Sequence, residues 1–331
     1  MRLKEIMPTL KDVAEKAGVT ITTVSRILNN RGYIKDATRD KVYRVMKELD
    51  YQPNELARSL SKKRTSIIGV IVPSVMHPFF CEVVNYLEVY AAKEGYKVML
   101  CNSNHQKDKE IEYIDMLKSN KVSGIVLCSR TTDIENSLPD NLPVITFERV
   151  ISNQISSVSC DNYLGGELAT KHLLDCGCKN LLHISGIRNI LMPADARRDA
   201  FVRVCEENEI PCKVYYTEEA QFQSLNYEEY LEQIILDNPD ADGVFTSSDV
   251  IAAEVIYVCT KNKIRIPQDL KLVGFDDIRL ASLTTPKIST IRQPIEQMCA
   301  CAIDTLLRQA DHGFLPSKTV LPVTFIKRES T

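Results

Sequence analysis

Thr9-Leu-Lys-Asp-Val-Ala-Glu-Lys-Ala-Gly-Val-Thr-Ile-Thr-Thr-Val-Ser-Arg-Ile-Leu-Asn29 reads as two short helical phrases separated by one glycine. Thr9 and Asp12 stand three apart, as in a capping box, where a hydroxyl and a carboxylate each satisfy the other residue's backbone N–H. Leu10, Val13, Ala14 and Ala17 then recur at helical spacing. Gly18 accepts the positive φ of a tight turn, so the first helix stops there. Thr20 caps a second helix running to about Asn29, with Val24, Ile27 and Leu28 turned inward. A third, from about Ala37 to Leu49, has Val42, Val45, Met46 and Leu49 on one face. Three short helices with a glycine turn after the first form the pattern of a helix-turn-helix, whose second helix enters the major groove of DNA.

The charge is distributed to match. Of 331 residues, 41 are Lys or Arg and 44 Asp or Glu, a formal net charge of −3. Residues 1–65 hold fifteen of the cations against eight anions, a balance of +7, which leaves −10 on the remainder. A basic head on an acidic body implies that only the head meets a polyanion. Asn54 to Lys62 has room for one short helix but is too short to hold it alone, because nucleation is costly. It reads as conditional structure.

From Ile67 the pattern changes. Ile67-Ile-Gly-Val-Ile-Val72 is apolar throughout, as a parallel strand buried on both faces requires. Helical stretches over Phe80 to Glu94 and Lys107 to Lys118 alternate with strand-like Lys97 to Cys101, Gly124 to Cys128 and Val144 to Phe147, the signature of βαβ units. After Asp161 the alternation restarts with a helix over Gly165 to Cys176. It continues through strands at Leu181 to Ser185, Val214 to Tyr216, Gly243 to Thr246 and Leu270 to Phe275, with helices between. Two doubly wound units in tandem predict a cleft between them.

Composition narrows the class. A chain of this length that is 44% hydrophobic folds, and into two or three domains. No apolar run reaches the roughly 18 residues of a membrane span. Met1 to Lys11 is charged where an export signal is apolar, so the expectation is a cytoplasmic protein with no membrane partner. Eleven cysteines suggest a disulfide framework until they are placed. Most sit in apolar runs, such as those ending in Cys101, Cys128 and Cys160, and the count is odd, so they read as buried reduced thiols. Cys176-Gly-Cys178 and Cys299-Ala-Cys301 lack the two-residue gap of a zinc or redox motif. No metal and no cofactor is implied.

Residues 9 to 29 resemble the headpiece of the lactose repressor (LacI/GalR) family almost position by position, and Tyr51-Gln-Pro-Asn-Glu-Leu-Ala-Arg-Ser-Leu60 resembles its hinge. The resemblance runs along the whole chain. It implies an α/β fold: an N-terminal helix-turn-helix headpiece (1–53), a hinge helix and linker (54–66), and two doubly wound lobes of periplasmic-binding-protein-like (type I) architecture (67–331). The first lobe would hold 67–161 and 291–321, the second 162–290 and 322–331, with Ser289 to Pro294 and the following helix as the return crossing. The resemblance also implies that Ile21, Thr22 and Arg26 face base edges, while Thr9, Ser25, Asn29 and Thr38 hold phosphates. In the hinge, Asn54, Ala57 and Leu60 join the DNA contacts, and Leu60 is the wedge at a central minor-groove step. A guanidinium at Arg26 can bond both acceptors of guanine. By periodicity alone Ile21 could equally extend the core stripe toward Val24.

In open α/β sheets, ligands sit beyond the carboxyl ends of the strands. That rule selects Pro73 to Phe80, Asp161, the segment after Ser185, Ser247-Ser248-Asp249 and Asp276-Asp277. The family's effector pocket falls on the same segments, and the matching motifs imply Asp161, Arg197, Ser248 and Asp276 as polar contacts, with Phe79 or Phe80 stacking on a ring face. Carboxylates accept from paired hydroxyls and a guanidinium donates in a fork, so the set suits a sugar. Plainer roles stay open: Asp161 and Asp276 as helix caps, Arg197 as a surface charge beside Arg198, and Phe80 as core. Ala200 stands where many relatives have Gly, and Ser248, where Asn is common, has a shorter polar reach. His77-Pro-Phe-Phe80, Cys101-Asn-Ser103, Phe147-Glu-Arg149 and Ser159-Cys-Asp-Asn162 resemble repressors of sucrose or fructoside operons. A phosphorylated sugar would call on cations beyond Arg197, with Arg149 and Arg188 as candidates.

Other classes fit less well. A transporter's solute-binding protein would share the two lobes but not the basic head. An enzyme reading could use Asp161 and Asp276 as acid and base. The sequence has no P-loop, no Gly-x-Ser-x-Gly elbow and no metal-spaced histidines, and His172 and His183 sit where core or surface roles are usual. A global catabolite regulator with a phosphorylated carrier protein as corepressor would share the same head. The resemblance implies a homodimeric repressor of double-stranded operator DNA, controlled by a small sugar, with no catalytic residues.

Overall fold

Thr9 opens helix α1 (Leu10–Ala17) with the capping box its spacing predicts: the Asp12 carboxylate accepts the Thr9 N–H at 2.7 Å, and the Thr9 hydroxyl accepts the Asp12 N–H at 3.4 Å. In this computed structural model the described residues are 8–28, 31–51, 65–139, 141–188, 192–312 and 318–331. Asn29, Asn54, Ala57 and Leu60, assigned above to DNA, lie outside them. Gly18 takes φ of 64° and closes α1 by donating its N–H to the carbonyls of Ala14 and Glu15. Thr20 then accepts the Thr23 N–H at 3.1 Å and starts α2 (Ile21–Leu28), and α3 (Asp36–Glu48) completes the trio. Val13, Ala14, Ala17, Val24, Ile27, Val42, Val45 and Met46 form one buried cluster beneath the three helices. Met1–Thr65 is one compact unit and Ser66–Thr331 a second.

The second unit contains two six-stranded sheets. The first is made of β1 (Ile67–Val72), β2 (Lys97–Asn102), β3 (Gly124–Leu127), β4 (Val144–Phe147) and β5 (Ser156–Cys160), in the order β2-β1-β3-β4-β5. Helices α4 (Pro78–Lys93) and α5 (Lys107–Ser119) lie between its strands in sequence. The second sheet repeats the scheme with β6 (Leu181–Ser185), β7 (Cys212–Tyr216), β8 (Gly243–Thr246), β9 (Lys271–Asp276) and β10 (Ser289–Arg292), in the order β7-β6-β8-β9-β10. Its helices are α6 (Asn162–Asp175), α7 (Asp195–Glu207), α8 (Glu219–Ser224), α9 (Glu228–Leu236) and α10 (Asp249–Lys261). All pairings within these two sets of strands are parallel. The chain reverses its direction of winding between β1 and β3 in one sheet and between β6 and β8 in the other, the two places where such sheets open a crevice.

The chain crosses between sheets after β5, after β10, and between two final short strands. Helix α11 (Ile295–His312) packs on α4 and over β3, β4 and β5, so it belongs to the first lobe. Strand β11 (Lys318–Leu321) then pairs with β5, whereas β12 (Thr324–Ile326) returns to lie antiparallel to β10. Because β10 pairs with β9 through Arg292, the return crossing falls at Gln293 and Pro294, a step later than the expected boundary at 291. Helix α8 was not expected; its six residues show no apolar stripe.

Of the eleven cysteines, none is in a disulfide; Cys101, Cys128, Cys160, Cys178, Cys205, Cys259 and Cys299 are buried, and Cys81 is exposed. Burial pushes the Cys101 and Cys178 thiols up to about 11, which keeps them protonated and inert. His183 is fully buried on β6, stacked on Phe245 with Nδ1 donating to the Phe245 carbonyl at 3.0 Å. Desolvation pushes its pKa down to about 3, so it is a neutral core group.

Candidate functional site

Helix α2 has two unlike faces. Val24 and Ile27 are buried, while Ile21, Thr22 and Arg26 are exposed and Ser25 is half-buried beside them. These four positions, at spacings of one, four and five, share one side of an α-helix. Ile21 is 47% exposed, so it does not extend the core stripe. An apolar side chain held at a helix surface next to an exposed guanidinium is unfavourable in water and suited to a groove that offers thymine methyls and guanine acceptors. Thr38 is half-buried in the first turn of α3. The Thr9 hydroxyl is occupied locally: besides its capping role it donates to Asp12 Oδ2 at 2.7 Å, and those bonds hold the Asp12 carboxyl below its ordinary value.

The second site lies where the winding of both sheets reverses. A cavity of about 930 Å³, counted to its open mouth, is lined from the first lobe by His77, Phe79 and Phe80 after β1, Ser129 and Arg130 after β3, and Glu148 after β4. The second lobe contributes Arg197, Thr217, Phe222, Ser248, Asp276 and Gln293. Its mixture of aromatic walls with a few polar groups is what small-molecule sites use.

Arg197 is the most firmly built of these side chains. Its guanidinium carbon lies 3.4 Å from the centre of the Phe275 ring. Its Nε donates to Asn162 Oδ1 at 2.7 Å and Nη1 to the Ser247 carbonyl at 2.6 Å, while Nη1 stands 4.0 Å from Asp276 Oδ1. Arg197 is 5% exposed and belongs to the cleft; Arg198 is the surface partner, paired with Asp199. Helix α6 can come close enough to place Asn162 because Gly166 has no side chain: a Cβ there would sit 2.3 Å from the Arg197 carbonyl oxygen.

Asp276 ends β9 with φ of 110°, a region that L-residues rarely adopt, and Gln293 holds it there by donating Nε2 to Oδ1 at 2.6 Å. Backbone strain of this kind concentrates at ligand clamps. Burial pushes the Asp276 carboxyl up to about 7, against the opposing pull of Arg197 and Gln293. Glu148, also at positive φ (52°), accepts the Cys160 N–H at 2.5 Å and the Asn162 amide at 3.0 Å. Asn162 thus bridges Glu148 and Arg197 where the chain first crosses between lobes. His77 caps α4 by accepting the Phe79 N–H on Nδ1 at 3.3 Å, and burial, then Arg130 and His105, push its pKa down to about 4. The proton of the neutral ring is therefore on Nε2.

The sequence-selected residues divide. Phe79, Phe80, Arg197, Ser248 and Asp276 line the cleft, with Phe79 and Phe80 also part of the core. Ser248 caps α10, accepting the Ile251 N–H at 3.3 Å. Asp161 is not among the residues that line the cleft, and its carboxylate accepts the Leu164 N–H at 2.9 Å as the cap of α6. The acid–base pair that Asp161 and Asp276 would have formed is therefore not assembled. Arg149 is also tied elsewhere, donating to Ser129 Oγ at 3.1 Å and the Thr131 carbonyl at 2.5 Å, and Arg188 is exposed over Tyr216. Sequence reasoning missed Arg130, Glu148, Phe222, Tyr227 and Gln293. Extending the strand-end rule to β3 and β4 would have reached Arg130 and Glu148. Among the described residues no cluster could hold a metal ion, and no helix is long and apolar enough to cross a membrane.

Comparison with known proteins covers both units of the chain. Residues 9–54 match the family of bacterial regulatory proteins, lacI family, and residues 170–331 match a periplasmic binding protein-like domain. The chain is 37% identical to the sucrose operon repressor of Streptococcus mutans, over 97% of this chain and 98% of that one. It is 35% identical to the ribose operon repressor of Halalkalibacterium halodurans, over 98% and 97%. Among solved structures, a periplasmic binding protein/LacI transcriptional regulator from Alkaliphilus metalliredigens, complexed with D-xylulofuranose, superposes with a TM-score of 0.72 at 30% identity, covering 81% of this chain and 99% of that one. A helix-turn-helix with an exposed face on its second helix, a two-lobed cleft and 35–37% identity to operon repressors over nearly the full length lead to one conclusion: the chain belongs to the lacI family of bacterial regulatory proteins, transcription regulators and not enzymes.

Proposed function

We propose that the protein is a cytoplasmic, homodimeric repressor that binds operator DNA through α2 and releases it when a small sugar occupies the cleft. The observation that carries the sugar half is Arg197: a buried guanidinium, held by Phe275, Asn162 and Ser247 and standing 4.0 Å from Asp276, in a cavity walled by aromatic rings. The guanidinium N–H groups left over from those bonds and the carboxylates pair with sugar hydroxyls, and the rings stack on the apolar face of a pyranose or furanose. Ile21, Thr22 and Arg26 read base edges, and Thr9, Ser25 and Thr38 stand near phosphates. A sugar that prefers the closed lobes shifts the population toward the state that does not bind DNA. The relatives named for sucrose and ribose operons support a saccharide, and of these the sucrose or fructoside class is our choice, from the stretches around His77, Cys101, Phe147 and Ser159.

The test uses the full chain and its own promoter fragment in fluorescence anisotropy, titrated with sucrose, fructose, ribose and glucose. Release by sucrose or fructose at concentrations that ribose and glucose do not match is the expected result. Salt-sensitive binding that none of these sugars alters would remove a neutral sugar from the mechanism, and failure to retain any promoter fragment would remove the repressor.

A further inference from the structure

We propose that the ligand of this cleft is a sugar bearing an oxyanion, a phosphate or carboxylate group, and that Arg130 binds that group; this rests on the sugar-cleft reading above. Arg130 follows β3 at the reversal point of the first sheet and lines the cavity. Its guanidinium lies 4.7 Å from the centre of the Phe222 ring, which reaches over from α8 of the other lobe. Its Nε is buried and has no hydrogen-bond partner. The other arginines near the cleft are different. Arg149 is held by Ser129 and Thr131, and Arg197 by Asn162 and Ser247. Arg188 is exposed.

The acids of the cleft are committed as well. Glu148 accepts from Cys160 and Asn162, Asp276 from Gln293, and Asp195 accepts the Met192 N–H at 2.8 Å. Asp195 and Glu219 pull on Arg130 electrostatically, but burial dominates and depresses its pKa, and no described carboxylate pairs with it. Two more nitrogen-bearing rings of the same lobe meet Phe222: His77 at 5.6 Å and His105 at 5.3 Å between centroids, and His105 Nε2 is buried without a partner. Among the described residues, the buried guanidinium nitrogen left without a partner in the cleft, Arg130 Nε, thus lies at the Phe222 end.

A sugar hydroxyl could accept the Arg130 Nε–H but would add no charge to the partial balance that Asp195 and Glu219 provide at a distance. An oxyanion accepts two guanidinium N–H groups in parallel and neutralises the charge, which is where arginine differs most from a neutral donor. With Arg197 and Asp276 at the hydroxyl end and Arg130 at the other, the cleft has the polarity of a sugar ester with its charged group toward Phe222.

Thermal unfolding and operator release are measured with fructose, fructose 1-phosphate, fructose 6-phosphate, glucose 6-phosphate, ribose, ribose 5-phosphate, sucrose, gluconate and inorganic phosphate. At least one charged sugar should bind about tenfold or more tightly than its neutral parent, with inorganic phosphate alone unable to replace it. Arg130→Gln should bring the charged and neutral members within about threefold of each other, and Arg130→Lys should keep part of the preference. The phosphate esters and gluconate separate the two kinds of oxyanion. On the unaltered chain, added salt should weaken the charged sugar and not its parent, a readout that does not depend on a variant folding. A neutral sugar that binds as well as its ester, insensitive to salt and to Arg130→Gln, overturns the anion while leaving the sugar reading intact. No binding by any member overturns both.

Discussion

Arg197 stacks on Phe275 with its guanidinium carbon 3.4 Å from the ring centre, and the same guanidinium donates to Asn162 and Ser247. Stacking and forked donation together need a planar group, which an ammonium is not. Arg197→Lys keeps the charge near Asp276, so the fold should persist, with operator affinity within about threefold of the parent. Sugar-driven release should weaken by about tenfold or more, read by anisotropy on one operator fragment. A lysine variant with a full response would mean that charge alone is what Arg197 supplies.

Asp276 gives a pH prediction. Burial raises its folded-state value to about 7, above the ordinary 3.8, so the folded state favours the protonated carboxyl. Stability from this group is fully present below about pH 4 and is lost as pH rises through about 7. Asn cannot ionise. The melting temperature of Asp276→Asn, relative to the parent, should therefore increase between pH 5 and pH 8. A difference that stays level or falls over that range would place the charged form in the folded cleft.

Which of these features the sequence disclosed depends on how local their causes are. Thr9, Asp12, Gly18 and Thr20 act within four residues of themselves, so the headpiece helices could be read directly. Ile21 could not, because its exposure is set by how α1 and α3 dock on α2. β1 announced itself as an unbroken apolar run, and the strand-end rule then led to Phe79, Phe80, Ser248 and Asp276. Asp161 obeyed the same rule but was captured by the nearer demand of α6 for a cap. Phe222 and Arg130 meet only through the pairing of the lobes: one sits on a helix with no apolar stripe, and the other reads in sequence as an ordinary surface cation.

Gly166 tests how Arg197 is positioned. An added Cβ would lie 2.3 Å from the Arg197 carbonyl oxygen and 2.8 Å from its Cα, so α6 and α7 would have to separate. Alanine is the better helix former, and any loss of stability must come from that contact. Gly166→Ala should cost about 3 kcal/mol in denaturant unfolding. It should also weaken the sugar response by moving Arg197 from Asn162. Unchanged or increased stability would show that the two helices have slack.

Arg26 decides whether α2 reads sequence. It is exposed, and among the described residues no carboxylate pairs with its side chain, so removing it should leave the melting temperature of the headpiece nearly unchanged. A guanidinium that bonds both acceptors of one guanine contributes about 1–3 kcal/mol of discrimination. Arg26→Ala should lower the ratio of operator to scrambled-DNA affinity by roughly ten- to a hundredfold, while affinity for scrambled DNA falls much less. The comparison must be made at one salt concentration, because loss of a phosphate contact would weaken both duplexes alike and flatten their salt dependence. If the two affinities fall together, Arg26 grips the backbone, and sequence is read by Ile21, Thr22 or residues outside α2.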